Sequence, residues 1–455
     1  MKALLFVVAL ALAAGVPQDS KPPNIVVIFV DDLGYGDLAC YGHPSIRTPN
    51  LDRMASEGMK FTDFYVSAPV CTPSRAGLLT GRYAVRSGMC SDTRRVLFHY
   101  SAGGLPESEI TIAQALKDKG YATACIGKWH LGHLPKYLPT RHGFDYYFGL
   151  PYSNDMDPIP NAKPGEPTKN VPLMRNEEII ERPAVQTTLT KRYTEEAVKF
   201  IQANKEKPFF LYLPHTMPHV PLAASDEFRG KSSRGLYGDV VEELDWSAGR
   251  VLETLRAEGL DRRTLVMFSS DNGPWLIMKE NGGSAGLLRE GKGSTWDGGV
   301  REPCIAWWPG KIPAGVVCRE LTATLDLFPT FARLSGAKVP DDRAMDGDDL
   351  SPVLFGTGPG PRKVFFYYRD TQVYAVRKGA WKAHIVTRSA YGKDDPEKHE
   401  PPLLYNLARD PSEQFDVAKN NPQIVADLLK EIADHQATVK PIENQLEKIL
   451  PQEKK

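Results

Sequence analysis

Three carboxylates and one carboxamide stand directly behind two apolar runs of this sequence. Asn24–Val30 (NIVVIFV) leads into Asp31 and Asp32, and the run from Thr264 to Ser270 leads into Asp271 and Asn272. All four side chains offer hard oxygen donors, which suit Ca²⁺ or Mg²⁺ rather than zinc. The plainer reading is that Asp-Asp and Asp-Asn simply begin loops, since both residue types favour turns. Two such pairs behind two separated runs weigh against it. Two further runs behave alike. The run ending at Ile126 is followed by Gly127, Lys128, Trp129 and His130, and the run ending at Leu213 by Pro214 and His215, with His219 four residues on. Open parallel sheets bind ligands outside the carboxyl ends of their strands. The four runs therefore deliver carboxylates, a lysine and imidazoles to one edge.

Another feature is Cys71-Thr72-Pro73-Ser74-Arg75, continued by Ala-Gly-Leu-Leu-Thr-Gly-Arg. Pro73 suits the first turn of a helix, where its missing N–H costs nothing. Cys71 then sits at a helix N-terminus, whose dipole and free N–H groups favour an anion. Taken alone, Cys71 reads as a buried structural thiol or as a thiolate nucleophile. Each neighbour also has a bland reading. Lys292 on a glycine-rich loop would be solvated, Arg75 would be a surface charge, and His130 and His219 would be core histidines with satisfied hydrogen bonds. Trp129, Trp296, Trp307 and Trp308 read as packing residues. His133 and Asp37 receive no role.

The elements that must position these groups follow from the hydrophobic pattern. Asn24–Val30 is apolar throughout, as a strand buried on both faces of a parallel sheet must be. Helices are expected over 49–58, 110–119, 190–203 and 240–258, three of them closed by the glycines at 58, 120 and 259. Strands are expected over 121–126, 209–213 and 264–269. The alternation predicts an α/β fold, a doubly wound, mostly parallel sheet. A stretch rich in Pro, Gly and Asp between 340 and 360 precedes three short strands, 363–369, 373–377 and 381–386, and a helix over 421–438. A catalytic domain over 21–345 and a smaller C-terminal α+β subdomain over 346–455 result. Residues 152–185 are expected to be an irregular surface loop, and 90–106 and 386–402 to be further specificity loops.

Composition bounds the rest. The chain has 455 residues, 42% hydrophobic and 25% charged, with 56 basic and 56 acidic side chains. This is a globular composition, and its balance gives no electrostatic reason to expect nucleic acid or an anionic membrane as partner. Lys2 followed by the apolar run from Ala3 to Ala14 has the layout of a signal peptide over 1–20. No later run reaches the length of a membrane helix, so an exported protein without a membrane span is expected. The six cysteines, 40, 71, 90, 125, 304 and 318, are too few for a disulfide framework, although Cys304 and Cys318 could pair. Asn-x-Ser/Thr sites are absent, which favours a bacterial periplasmic or secreted protein over a lysosomal one.

The Cys71–Arg82 segment resembles the signature of the sulfatase family. Similar blocks run from Pro23 onward: the segment ending in Asp31-Asp32-Leu-Gly-Tyr-Gly-Asp, Gly-Lys-Trp-His-Leu-Gly-His, Gly-Leu-Pro-Tyr-Ser, Asp-Asn-Gly-Pro and Gly-Lys-Gly-Ser-Thr-Trp-Asp-Gly-Gly-Val-Arg-Glu-Pro. The resemblance, strongest to the arylsulfatase and N-acetylgalactosamine-6-sulfatase members, implies an alkaline phosphatase-like fold and hydrolysis of aryl or carbohydrate sulfate monoesters. It implies that Cys71 is oxidised to formylglycine (3-oxoalanine) by a formylglycine-generating enzyme, and that the aldehyde hydrate supplies the nucleophile. Asp31, Asp32, Asp271, Asn272 and the modified Cys71 would hold Ca²⁺. Arg75 and Lys128 would hold the hydrate and neutralise charge, His130 would contact it, and Lys292 and His219 would contact the sulfate ester. Ser153 matches a further polar substrate-side residue. His219 rather than His215 fits the family spacing to Asp271 and would act as the general acid; His215 is left as substrate-side or structural. The substrate would be a sulfated small molecule or sugar. The alternatives are a phosphodiester or phosphonate hydrolase of the same superfamily, and a non-catalytic protein that binds sulfated glycans.

Overall fold

In the computed structural model, residues 21–163, 165–390 and 395–451 are described. The expected signal peptide over 1–20, and 391–394 within one expected specificity loop, lie outside them. The large sheet contains β1 (Asn24–Val30), β2 (Met59–Tyr65), β3 (Ala122–Ile126), β4 (Tyr146–Gly149), β5 (Leu173–Arg175) and β6 (Glu178–Glu181). It continues with β7 (Phe209–Pro214), β8 (Thr264–Ser270), β9 (Arg301–Trp307), β10 (Val316–Cys318) and β11 (Thr322–Ala323). The strand order is β10-β2-β9-β8-β1-β7-β3-β4-β5-β6, with β11 also paired to β2.

The four chemistry-bearing strands are neighbours. β8, β1, β7 and β3 pair in parallel, one beside the next. Their carboxyl ends therefore emerge at one edge, as the sequence pattern requires. β1 shows why such a strand is apolar without alternation. Ile25, Val27 and Phe29 enter one hydrophobic core while Val26, Ile28 and Val30 enter another on the opposite face. The helices Leu189–Ala203 and Leu236–Ala257 cover the second core together.

A second sheet is antiparallel, in the order β12 (Val364–Arg369), β13 (Gln372–Lys378), β14 (Trp381–Thr387), β15 (Glu397–Asn406). A third core joins it and the helix Pro422–Thr438 to Tyr65, Tyr83 and Val300 of the large-sheet region. No helix among the described residues is long and apolar enough to cross a membrane.

Several expectations change. The helix expected over 110–119 is confined to Ile112–Lys117, and the long helix begins four residues early, at Leu236. The segment 152–185 is not wholly irregular, because β5 and β6 form an antiparallel hairpin there on the sheet edge. The segment 386–402 ends inside β15. β9 runs antiparallel to both of its neighbours, β2 and β8. Cys304 and Cys318 both lie on strands that flank β2, yet all six cysteines are free thiols.

Candidate active site

Backbone geometry aims the donors. Asp32 and His130 adopt positive φ, 66° and 58°, a conformation that costs non-glycine residues energy and is retained where surrounding structure enforces it. At Asp32 the enforcement is visible: its N–H donates to Asp271 Oδ1 at 3.2 Å, and the next N–H donates to Ser270 Oγ at 3.0 Å. Gly127 does the same service before Lys128. A Cβ there would lie 1.9 Å from the carbonyl oxygen of Pro214, so glycine lets β3 close on β7 and places Lys128 N–H on that carbonyl at 2.7 Å.

Cys71 opens the helix Cys71–Thr80, every residue of which is buried, and no side chain caps its N-terminus. The thiol, Asp31 and Asp271 bring ligand atoms within 4.8 Å of one another, as do Asp31, Asp32 and His219. Asn272 joins by donating Nδ2–H to Asp32 Oδ1 at 2.7 Å. Its Oδ1 and Asp31 Oδ1 are buried and accept no hydrogen bond. Buried oxygens are normally satisfied. Two open ones beside two more carboxylates and a sulfur form a donor set for a hard divalent cation.

Cations line the same space. Arg75, fully buried, places Nε and Nη2 at 2.9 and 2.8 Å from Asp271 Oδ2 and donates Nη1–H to the Lys128 carbonyl at 2.9 Å. Lys128 pairs with Asp31 and donates to Ser153 Oγ at 3.1 Å. Lys292 contacts both oxygens of Asp32, at 2.7 and 2.8 Å, and lies over the Trp275 ring. Its loop is tied on two sides. Lys292 N–H donates to Pro274 O, and Gly293 N–H to Pro69 O, just before Cys71. His219 Nε2 lies 3.6 Å from Asp32, while Nδ1 is 2.6 Å from the Val220 carbonyl.

Titration follows from this crowding. Burial pushes Asp31 up, but Lys128, His219, Arg75 and Lys292 together hold it well below the usual carboxylate range. Burial and the neighbouring Asp31 charge push Asp271 up. Burial also pushes the Cys71 thiol up to about 11, against Lys128 and Lys292. Burial therefore works against a thiolate at this position. Burial, followed by Lys128, holds His130 well below its ordinary value; burial, followed by Lys292, lowers His219.

All the residues singled out from the sequence at this edge therefore meet, except one. His215 is fully buried and points toward the helices: its Nε2 lies 3.1 Å from Ser247 Oγ and its ring beside Tyr193. It is structural. The bland readings of Lys292 and Arg75 also fail, since both are buried. Two groups escaped the sequence reading. Half-buried Asp155 is held below its ordinary value against burial by His219, Lys128 and a Ser153 hydrogen bond; its nearness to Ser153 in sequence was the available signal. Trp275 packs against both His219 and Lys292; its place one residue after Asp-Asn-Gly-Pro was the signal.

Comparisons with known proteins agree with this geometry. A family model described as Sulfatase matches residues 23–337, and one described as the C-terminal region of aryl-sulfatase matches 360–454. Human arylsulfatase A (Homo sapiens) is 44% identical over 451 residues, covering 91% of this chain and 88% of that protein. Mouse N-acetylgalactosamine-6-sulfatase (Mus musculus) is 42% identical over 475 residues, covering 96% and 89%. Among solved structures, the PsFucS1 sulfatase from Pseudoalteromonas sp. superposes with a TM-score of 0.83 at 30% identity, covering 93% of this chain and 92% of that one.

Proposed function

The chain belongs to the sulfatase family, and on that premise we propose how its buried residues divide the hydrolysis of sulfate monoesters to an alcohol and inorganic sulfate. The observation that carries the reading is the convergence of Cys71, Asp31 and Asp271 with two lysines and an arginine around them. Asp31, Asp32, Asp271, Asn272 and position 71 would hold Ca²⁺, a fit supported by the open oxygens of Asp31 and Asn272. With calcium bound and Cys71 oxidised to formylglycine, as is typical of the family, the centre supplies a nucleophilic hydroxyl and a cation that stabilises charge on the transferring sulfuryl oxygens.

The remaining work falls to the chain's own side chains. Arg75 orients Asp271 and cancels charge that burial would otherwise penalise. Lys128 does so for Asp31 and reaches Ser153 on the substrate side. Lys292, buried against Asp32, would bind the sulfuryl oxygens of the ester. His219 is the general acid. Its Nδ1–H faces the Val220 carbonyl, which only accepts, so it is the imidazolium form, favoured by Asp32 3.6 Å from Nε2, that would give the Nε2 proton to the leaving oxygen. His130 is the base. Its Nε2 lies 2.8 Å from the Leu97 carbonyl, which places the proton there and leaves Nδ1, buried without a partner, able to accept one.

The substrate proposed is a sulfated sugar attacked from its end, in keeping with the relative named for N-acetylgalactosamine 6-sulfate. Aryl sulfates serve as convenient test esters. Maturation would need a formylglycine-generating enzyme, and the apolar N-terminal run supports export before 21–345 and 346–455 act as catalytic and C-terminal units. The test is direct. Purified protein should hydrolyse 4-nitrophenyl sulfate well above 4-nitrophenyl phosphate, and the peptide containing position 71 should carry an aldehyde mass. Preference for the phosphate ester, or an unmodified thiol in active material, would overturn the reading.

A further inference from the structure

The turn behind Asp31 and Asp32 contains a carboxylate that takes no part in the centre described above. Asp37 is 1% exposed. Its Oδ2 accepts the Gly34 N–H and the Tyr237 hydroxyl, each at 2.7 Å, and its Oδ1 accepts the Ser284 N–H at 2.9 Å. Burial pushes this carboxyl up to about 7, against the hydrogen bonds from Tyr237, Gly34 and Ser284. Burying a carboxylate costs free energy, which its three donors offset. Those donors come from three places: the turn itself, the start of the helix Leu236–Ala257, and the segment 273–291.

The last of these places leads to the centre. Segment 273–291 begins after Asn272 and ends at Lys292. It carries Trp275, whose ring lies 4.4 Å from Lys292 Nζ and 5.2 Å from the His219 ring. Lys292 N–H closes the base of the segment on Pro274 O at 3.0 Å, and Gly36 N–H holds its far side through Ser284 O at 2.8 Å. The approach there is close: a Cβ at Gly34 would lie 2.3 Å from the Ser284 carbonyl oxygen, and one at Gly283 2.0 Å from Asp37 Oδ2. Arg234 fastens the same segment by donating to the carbonyls of Glu280 and Gly282 at 2.9 and 3.1 Å. Asp37 thus bonds to two stretches of chain that meet again at the centre, where Lys292 contacts both oxygens of Asp32.

We propose that Asp37 is a positioning residue: by joining the turn after Asp32 to segment 273–291, it fixes Lys292 at the place from which it binds the sulfuryl oxygens of the ester. The proposal rests on the sulfatase reading of Lys292. It concerns alignment rather than contact with substrate. Alignment is energetically steep, since about 1 Å of misplacement can cost on the order of 10²-fold in rate. Asparagine is the sharpest probe. Its carboxamide has one accepting oxygen, so whichever way it turns, its NH₂ meets a backbone N–H, that of Ser284 or that of Gly34.

The test measures 4-nitrophenyl sulfate kinetics of the whole purified enzyme, per folded molecule, in a double-mutant cycle. Asp37→Asn should lower kcat/KM by about 10-fold or more, chiefly through a higher KM. In the Lys292→Ala background the same change should cost less than about threefold, because residues that act through one contact are not additive. Gly283→Ala crowds Asp37 Oδ2 without removing its charge. It should reproduce both results, and it carries the test if Asp37→Asn does not fold. Tyr237→Phe removes one donor but neither contact between the two stretches, so it should lower the thermal midpoint and leave kcat/KM within about threefold. Equal losses in the two backgrounds, or unchanged kinetics in folded Asp37→Asn or Gly283→Ala, overturn the positioning role. So does a loss in Tyr237→Phe as large as that in Asp37→Asn, since general loosening would then suffice. Lys292→Ala without effect on its own overturns the reading of Lys292 beneath the proposal, a failure told apart because it needs no change at Asp37.

Discussion

Two buried ionic clusters lie a short way apart along the segment 292–297, and they are built on opposite rules. The cluster around Asp297 joins the two sheets and is closed by the protein itself. Asp297 accepts from Tyr65, Tyr367 and Lys382 at 2.7, 3.0 and 2.8 Å. Lys382 spends its three donors on Asp297, the Thr295 carbonyl and Glu413. Glu413 accepts the Asp297 N–H at 2.8 Å and lies 2.8 Å from His384 Nε2. Of the atoms in that network only His384 Nδ1 lacks a partner. The cluster around Asp31 holds more charged side chains but leaves Asp31 Oδ1, Asn272 Oδ1 and His130 Nδ1 open. Equal burial with unequal satisfaction separates a cluster that holds the fold from one that awaits ligands.

The largest test of that contrast is Cys71→Ser. Turnover of 4-nitrophenyl sulfate should fall on the order of 10³-fold or more, at least about 4 kcal/mol of transition-state stabilisation, while the thermal midpoint stays near that of the unaltered protein. Retention of a tenth of the activity would break the contrast from the catalytic side. Lys382→Met should do the reverse. It leaves Asp297 and Glu413 buried without their shared cation, a change that costs about 3–5 kcal/mol of stability. Denaturant titration should register the loss, and kcat per folded molecule should move much less.

The difference between the clusters also explains what was legible in the sequence. Strand ends were readable because a strand buried on both faces is apolar without interruption, so the first polar residues after Val30 and Ser270 stand out. Alternation with helices predicted that the strands would be parallel, whereas their order, β8-β1-β7-β3, was not legible. Cys71 alone was ambiguous, and the family signature rather than its spacing supplied the modification. The Asp297 cluster was not legible. Its partners come from β2, β12, β14 and the loop after β15, from Tyr65 to Glu413, 348 residues apart, and no local pattern announces that Lys382 will meet Glu413. β5, β6 and β15 were missed for a related reason. They are short or exposed strands whose charged and proline residues, as in Glu397–Asn406, read as loop. His215 was left undecided because its partner, Ser247, lies on a helix 32 residues away.

Calcium gives a smaller effect with a sharp signature. At about 100 times its dissociation constant, a ligand bound only by the folded state stabilises it by about 2.7 kcal/mol. Added Ca²⁺ should therefore raise the thermal midpoint of the chelator-treated protein, and Asp31→Asn should abolish the rise. Lys382→Met, destabilised overall, should still respond. If both variants lost the response, the two clusters would be one thermodynamic unit and the contrast would fail.

The smallest effect at neutral pH concerns His384. Burial, then Lys382, lowers its pKa from the ordinary 6.5 to about 4, with Glu413 opposing. The folded state therefore binds fewer protons than the unfolded chain between these values. Its contribution to stability is fully present above pH 6.5 and is lost as pH falls toward 4. One proton limits the slope to about 1.4 kcal/mol per pH unit. In His384→Gln the amide can still donate to Glu413 but cannot titrate. Its stability, measured by denaturant titration from pH 7 to 4.5, should fall less steeply than that of the unaltered protein. Parallel curves would mean that the closed cluster admits a proton as readily as the unfolded chain, and that its satisfied hydrogen bonds do not exclude one.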